Sequence, residues 1–140
     1  MKEYKKIHLV KNEDLNIHGT LFAARAAAWF VESGFIAAAC TYEKPKEIVC
    51  VNIHGMKFNR PVQNGEIINF ISRVVRFGKT SITVSVQVAS EISGHDVLIG
   101  FATFVTVDSD GNKKPHNLIM DTAVDEAEIE LRRVADQLFE

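Results

Sequence analysis

Two cysteines among 140 residues, Cys40 and Cys50, are too few for a disulfide framework, and both lie inside apolar stretches. They read as buried thiols in a reducing, cytoplasmic compartment. An excess of basic residues is also missing: 16 lysines and arginines stand against 18 acidic residues, a formal net charge of −2. A general nucleic-acid surface usually shows such an excess, so nucleic acid is not expected as a partner. Met1–Lys6 is charged and carries no signal-peptide pattern, so no secretory leader is expected. No spacing of histidine, cysteine or carboxylate suggests a metal site. No internal repeat, low-complexity tract or linker divides the chain. Its length fits a single domain over residues 1–140, with a core over about 5–118.

What the chain does have is a long apolar run. From Thr20 to Cys40 it is dominated by alanine, the strongest helix former, and holds no proline. At about 1.5 Å per residue this is about 30 Å of helix. Thr20 is a plausible N-cap, with Asn16 or His18 nearby. The length invites comparison with a membrane span, but Arg25 and Glu32 inside it and its many alanines oppose that reading. The run is apolar nearly all round, so more than one surface must cover it. Glu32 is its lone carboxylate, and burying a lone carboxylate is costly unless it is paired or protonated.

The rest alternates between strands and turns. Lys6–Val10 reads as a first strand, Glu47–Ile53 as a second, continued by Met56–Phe58 beyond a bulge at Gly55. Glu66–Phe77 follows, then a tight turn at Gly78-Lys79. In Thr80–Ala89, Ile82, Val84, Val86 and Val88 alternate with Ser81, Thr83, Ser85 and Gln87, the pattern of a half-buried antiparallel strand. Val97–Val107 is apolar on both faces and is expected inside the sheet, covered twice. Asp121–Phe139 is an amphipathic helix whose expected role is packing or self-association. One early helix followed by antiparallel strands makes an α+β domain. A second copy of the chain is the economical cover for the remaining helix faces.

Four motifs in order carry a resemblance: Asn16-x-x-Gly19; the helix with Trp29-Phe30-Val31-Glu32; Val51-x-x-x-Gly55-Met56-x-Phe58-x-x-Pro61-Val62-x-x-Gly65-Glu66; and Gly78-x-Thr80-Ser81. Over about residues 5–108 the chain resembles the hot-dog fold acyl-CoA thioesterases, in particular the cytosolic acyl-CoA hydrolase branch and its small bacterial relatives. The resemblance implies an antiparallel sheet wrapped around a central helix. It implies homodimers, often built into tetramers or hexamers, with active sites between protomers. It also implies acyl-CoA as substrate, with no metal or organic cofactor. An asparagine before the helix and an acidic residue on the partner's helix would frame the thioester. Asn16 matches the first. Relatives commonly place aspartate at the position of Val31, and here the acid, Glu32, stands one residue later.

On this reading Glu32 is a general base or nucleophile; on the other it is an ion pair with Arg25 or a partner-chain cation. Asn16 orients water or substrate, or serves as a turn residue. Free N–H groups around Gly19 and Thr20 hold an oxyanion, or Gly19 makes an ordinary tight turn. His18 and His54 are candidates for lining the cleft. Arg60, Arg76, Gly78, Lys79, Thr80 and Ser81 are candidates for the coenzyme phosphates, a basic rim being suited to polyanions. The rival functions are a non-catalytic acyl-CoA sensor, which needs the pocket but not Glu32, and an enoyl thioester hydratase, which needs an Asp–His pair not seen here.

Overall fold

The alanine-rich run forms one helix, α1, over Ala23–Tyr42 in the computed structural model, which describes residues 1–140. It starts later than expected. Thr20 and Leu21 are held in β-bridges with Gln63 and Leu15, so the backbone stays extended through Phe22, the actual N-cap residue. Thr20 is therefore not the cap. At the far end Glu43 takes a left-handed φ of 68°, and its N–H donates to the Ala39 carbonyl, which stops the helix.

Five strands wrap α1: β1 (Tyr4–Leu9), β2 (Ile48–Phe58), β3 (Ile67–Phe77), β4 (Ser81–Ser90) and β5 (Asp96–Thr106). Their spatial order is β1-β3-β4-β5-β2, antiparallel throughout. Two successive hairpins link β3, β4 and β5. The helix carries the chain beneath them, from the edge strand β1 to the edge strand β2. Phe30, Ala37 and Ala38 of α1 meet Phe70, Val84, Val86 and Phe104 of the sheet in one core. This is the hot-dog arrangement expected from the sequence.

The opposite face of the sheet carries α2 (Glu126–Gln137). It is shorter than expected because Asp125 caps it, its side chain accepting the Glu128 N–H at 2.9 Å. Ala135 of α2 is buried with Val75 and Phe101, and Leu131, Val134 and Leu138 pack around them. This docking corrects the half-buried reading of β4. Its apolar row does face α1, but the polar row is covered as well: Thr83 and Ser85 are fully buried. Thr83 and Thr103 share a hydroxyl hydrogen bond of 2.8 Å, and Thr103 in turn bonds His54 Nε2 at 2.7 Å.

The cysteines also differ from expectation. Both are exposed, because Cys50 lies on the uncovered edge strand and Cys40 near the end of α1. Partial burial still pushes the Cys50 thiol pKa up. The same edge exposes Val49, Val51, Ile53 and Phe58, each by more than two-fifths. No helix is long and apolar enough to cross a membrane.

Candidate active site

The site is built from the turn before α1 upward. Asn16 organises it: its Oδ1 accepts the N–H groups of His18 (2.8 Å) and Thr20 (3.2 Å), and its Nδ2 donates to Thr20 Oγ1 at 3.1 Å. An asparagine side chain closing its own turn in this way leaves little freedom for the backbone. Gly19 sits at φ 79°, a left-handed conformation that glycine supplies without strain. Its N–H donates to the Asn16 carbonyl at 3.1 Å. The N–H groups of Gly19 and Thr20 are thus both engaged, which corrects the expectation that they stand free for an oxyanion. Past the turn, the Phe22 N–H donates to Asp14 O, and those of Arg25 and Ala26 both donate to Phe22 O. The N–H groups of Ala23 and Ala24, the first two of α1, have no acceptor within the protomer. His18 is exposed at the rim of the turn.

Glu32 is the one carboxylate in α1. It is not buried, as the apolar run suggested, but 55% exposed. Its partner is Lys6 of β1, whose ammonium contacts Oε1. Arg25 is not available to it, because its Nε lies 3.6 Å from the buried carboxylate of Asp14. Trp29, one turn earlier, stacks on His8 of β1 with centroids 4.1 Å apart and an interplanar angle of 11°. Burial, and then the nearby Lys6 charge, push the His8 imidazole pKa down. Trp29 and Glu32 thus form the flank of α1 that faces β1. Phe30 points into the core. Val31, about 100° round the helix from Glu32, lies on the other flank. The two positions are not equivalent, although they adjoin in sequence.

The remaining candidates fall into three places. His54 does not line the α1 side of the sheet. It lies on the opposite face, bonded to Thr103 and edge-on to Phe139 with centroids 5.4 Å apart. Two residues further along, Met56 pairs with Gly100, on the α1 side, because the strand bulges between them. Burial pushes the His54 imidazole pKa down. Arg76 shares that outer face: its Nε donates to Asp136 at 3.2 Å and its guanidinium lies 4.0 Å from the Phe139 ring centroid. Arg60 is held inside its own turn by Glu66, at 3.0 Å. Burial alone would raise the Glu66 pKa, but the Arg60 bond and the Gln63 N–H more than offset it and hold the carboxyl below its usual range.

The third place is the β3–β4 turn. Gly78, Lys79, Thr80 and Ser81 are together there, and the segment after β5 straps across them. The His116 N–H donates to Lys79 O at 3.3 Å and its Nε2 donates to Ser81 O at 3.1 Å. The Leu118 N–H donates to His116 Nδ1 at 3.0 Å, so Nδ1 is the accepting and Nε2 the donating nitrogen of the ring. The Lys79 ammonium, unlike those of Lys6 and Lys114, has no carboxylate partner.

Two charged groups of the α1 region are not legible as site residues in the sequence, Lys6 and Asp14. Lys6 opens the first expected strand, and nothing in the sequence gives it a role there. In the sequence the apolar Ile7 and Leu9 point to the other row, yet the structure exposes those two and puts Lys6 and His8 with Tyr4 and Val10 on the inward row. Asp14 ties the preceding turn to α1: its Oδ2 accepts the Lys11 N–H at 2.9 Å and its Oδ1 lies 3.6 Å from Arg25 Nε.

Comparison with known proteins places this geometry. The sequence model of the thioesterase superfamily matches residues 18–94. The acyl-CoA thioester hydrolase YciA of Salmonella typhimurium is 32% identical over 111 residues, 73% of this chain and 80% of that protein. The crystal structure of an acyl-CoA hydrolase from Bacillus cereus is 30% identical, with a TM-score of 0.83, over 96% of this chain and 82% of its own. A hexameric thioesterase from Yersinia pestis is 25% identical, with a TM-score of 0.73, over 83% of this chain and 94% of its own. The family match opens at His18, within the turn before α1, runs through α1 and closes at Gly94, just past β4, and on this ground, with the 32% identity to YciA, the chain belongs to the thioesterase superfamily.

Proposed function

We propose that this chain is a cytoplasmic acyl-CoA thioesterase that hydrolyses an acyl-CoA to the free acid and coenzyme A. The observation that carries the reading is Glu32. It is the single carboxylate of α1, and its side chain is 55% exposed on the flank that faces β1. In the proposed reaction Glu32 takes a proton from water, and the water oxygen attacks the thioester carbonyl carbon. The oxyanion formed accepts hydrogen bonds from N–H groups at the start of α1, where Ala23 and Ala24 have donors to spare. The carbon–sulfur bond then breaks, and Glu32 returns its proton to the departing thiolate. Asn16 braces the turn that presents these donors. This chemistry calls on no metal or organic cofactor. A free-thiol release assay across a panel of acyl chain lengths tests it; no release from any acyl-CoA would overturn it.

The same reading makes the protein a homo-oligomer. The exposed apolar edge β2 is a surface that a lone protomer should not present to water. The proposed shared site requires Asn16 of one protomer to meet Glu32 of the other, and Glu32 lies on the β1 flank of α1, at the other edge of the sheet. The YciA and Bacillus cereus relatives are acyl-CoA hydrolases, and the Yersinia pestis relative is hexameric, which supports both parts of the proposal. Sedimentation at micromolar concentration is expected to show a dimer or a larger assembly; a stable folded monomer would refute the shared site.

Among the basic candidates, Lys79 fits the coenzyme phosphates best, because Arg76 and Arg60 are already committed to Asp136 and Glu66. Lys79→Ala is expected to raise KM about threefold to tenfold at low salt with kcat little changed. A charge that binds ground and transition states alike contributes uniformly. Steady-state kinetics at two ionic strengths checks this, since the effect should shrink as salt screens the charge.

A further inference from the structure

We propose that Lys6 is a positioning residue for the Glu32 carboxylate. The proposal rests on the reading of Glu32 as the base. A glutamate side chain has several rotatable bonds, and one that is 55% exposed samples many directions unless it is held. Catalysis needs one of them, because misplacing a reacting group by about 1 Å can cost about 10²-fold in rate. In this structure the Lys6 ammonium contacts Oε1, and no other cation or hydrogen-bond donor of the protomer reaches the carboxylate. Oε2 is left open to accept a proton.

The placement of Lys6 itself argues for the role. It lies on the inward row of β1, opposite Phe70 of β3, with its side chain 28% exposed, whereas its neighbour Lys5 is turned outward to solvent. An inward lysine on a short edge strand has to lead its charge out past apolar neighbours, and here the charge emerges at Glu32. The strand cannot shift easily. Six consecutive residues of β1 are in register with β3, and His8, two residues along, is stacked on Trp29. Lys6 and Glu32 are therefore tied to the same two elements, β1 and α1, at adjacent points. Both ends of the bridge keep solvent contact, so it adds little to folding stability. Its effect on rate is then separable from any effect on the fold.

The test is the thiol-release rate of Lys6→Met and Lys6→Arg, each in the wild-type chain and in a Glu32→Gln background, with urea unfolding of every variant. Lys6→Met is expected to lower kcat about tenfold with KM within about twofold, and Lys6→Arg to recover most of the loss. On top of Glu32→Gln, Lys6→Met is expected to add nothing. Wild-type kcat in Lys6→Met, or the same loss in both backgrounds, would overturn the positioning role. So would failure of Lys6→Arg to recover any rate while folded. If Lys6→Met does not fold, Lys6→Gln takes its place with the same expectations. An inactive Glu32→Gln beside a fully active Lys6→Met would remove only the positioning role. A fully active Glu32→Gln would remove the role of Glu32 and this proposal together.

Discussion

Glu32→Gln is expected to lower kcat by about 10²-fold or more, the scale of a lost general base, while KM stays within about twofold. The substitution keeps the length and shape of the side chain and removes its basicity. Glutamine is nearly as good a helix former as glutamate, so α1 should form as before. The Lys6 contact weakens from an ion pair to a hydrogen bond from the ammonium to a neutral amide oxygen, which at a half-exposed site changes stability little. A large loss of rate with an unchanged urea midpoint would therefore report chemistry. A rate within about twofold of wild type would instead mean that the acid lost at position 31 has not been replaced one residue on.

Mixing variants sharpens the result. If each site takes the Asn16 turn from one protomer and Glu32 from the other, neither Asn16→Ala nor Glu32→Gln homodimers hold an intact site. A mixed dimer holds one intact site and one doubly altered site. Unfolding and refolding the two inactive proteins together is expected to restore roughly a quarter of wild-type activity, since random pairing makes half the dimers mixed and each has one working site. No recovery would place both residues in the same protomer's site.

Several of these features are legible in the sequence because they follow from local pattern. The alanine content of the Thr20–Cys40 run announces α1. The alternation of Ile82, Val84, Val86 and Val88 correctly identifies the row of β4 that faces α1. Asn16 and Gly19 read as a turn, and Glu32 stands out as a lone carboxylate. What escapes is whatever depends on long-range docking. The polar row of β4 reads as solvent-facing, because nothing near Thr83 or Ser85 reveals that residues about 50 positions later will cover it. Arg76 reads as a free cation because its partner Asp136 is 60 residues away. Cys50 reads as buried because an apolar strand looks the same at an edge as in the middle of a sheet. Lys6 escapes as well. Apolar alternation would turn Ile7 and Leu9 inward, whereas the structure exposes both and gives the inward row to Lys6 and His8, and the pairing with Glu32 depends on how α1 is rotated over the sheet.

Gly100→Ala is expected to be the most damaging small substitution in the chain. Gly100 lies on β5 between Met56 of β2 and Val86 of β4, on the face toward α1. A Cβ there would sit 2.2 Å from the Gly55 carbonyl oxygen and 2.9 Å from Cζ of Phe30. Neither neighbour can yield cheaply. The carbonyl belongs to the irregular step between His54 and Met56, where Gly55 holds φ at 70° and turns its oxygen over β5. Phe30 is fully buried in the main core. The expected loss is about 3 kcal/mol, the upper end of the range for overpacking, or about 10 °C in Tm. Gly34→Ala is the matched control. Its Cβ would meet Phe104 at 3.4 Å and Val86 at 3.6 Å, ordinary contact distances, and alanine gains up to about 1 kcal/mol over glycine inside a helix. Gly34→Ala should therefore unfold at the same urea concentration as wild type or a higher one. An unchanged midpoint for Gly100→Ala would show that the bulge relaxes and that Gly55 can withdraw its carbonyl. The substitution should also reach the chemistry. Phe30 anchors the turn of α1 that carries Glu32, so a displaced Phe30 moves the carboxylate relative to Lys6. In Gly100→Ala, kcat is expected to fall severalfold even at temperatures where the protein remains folded.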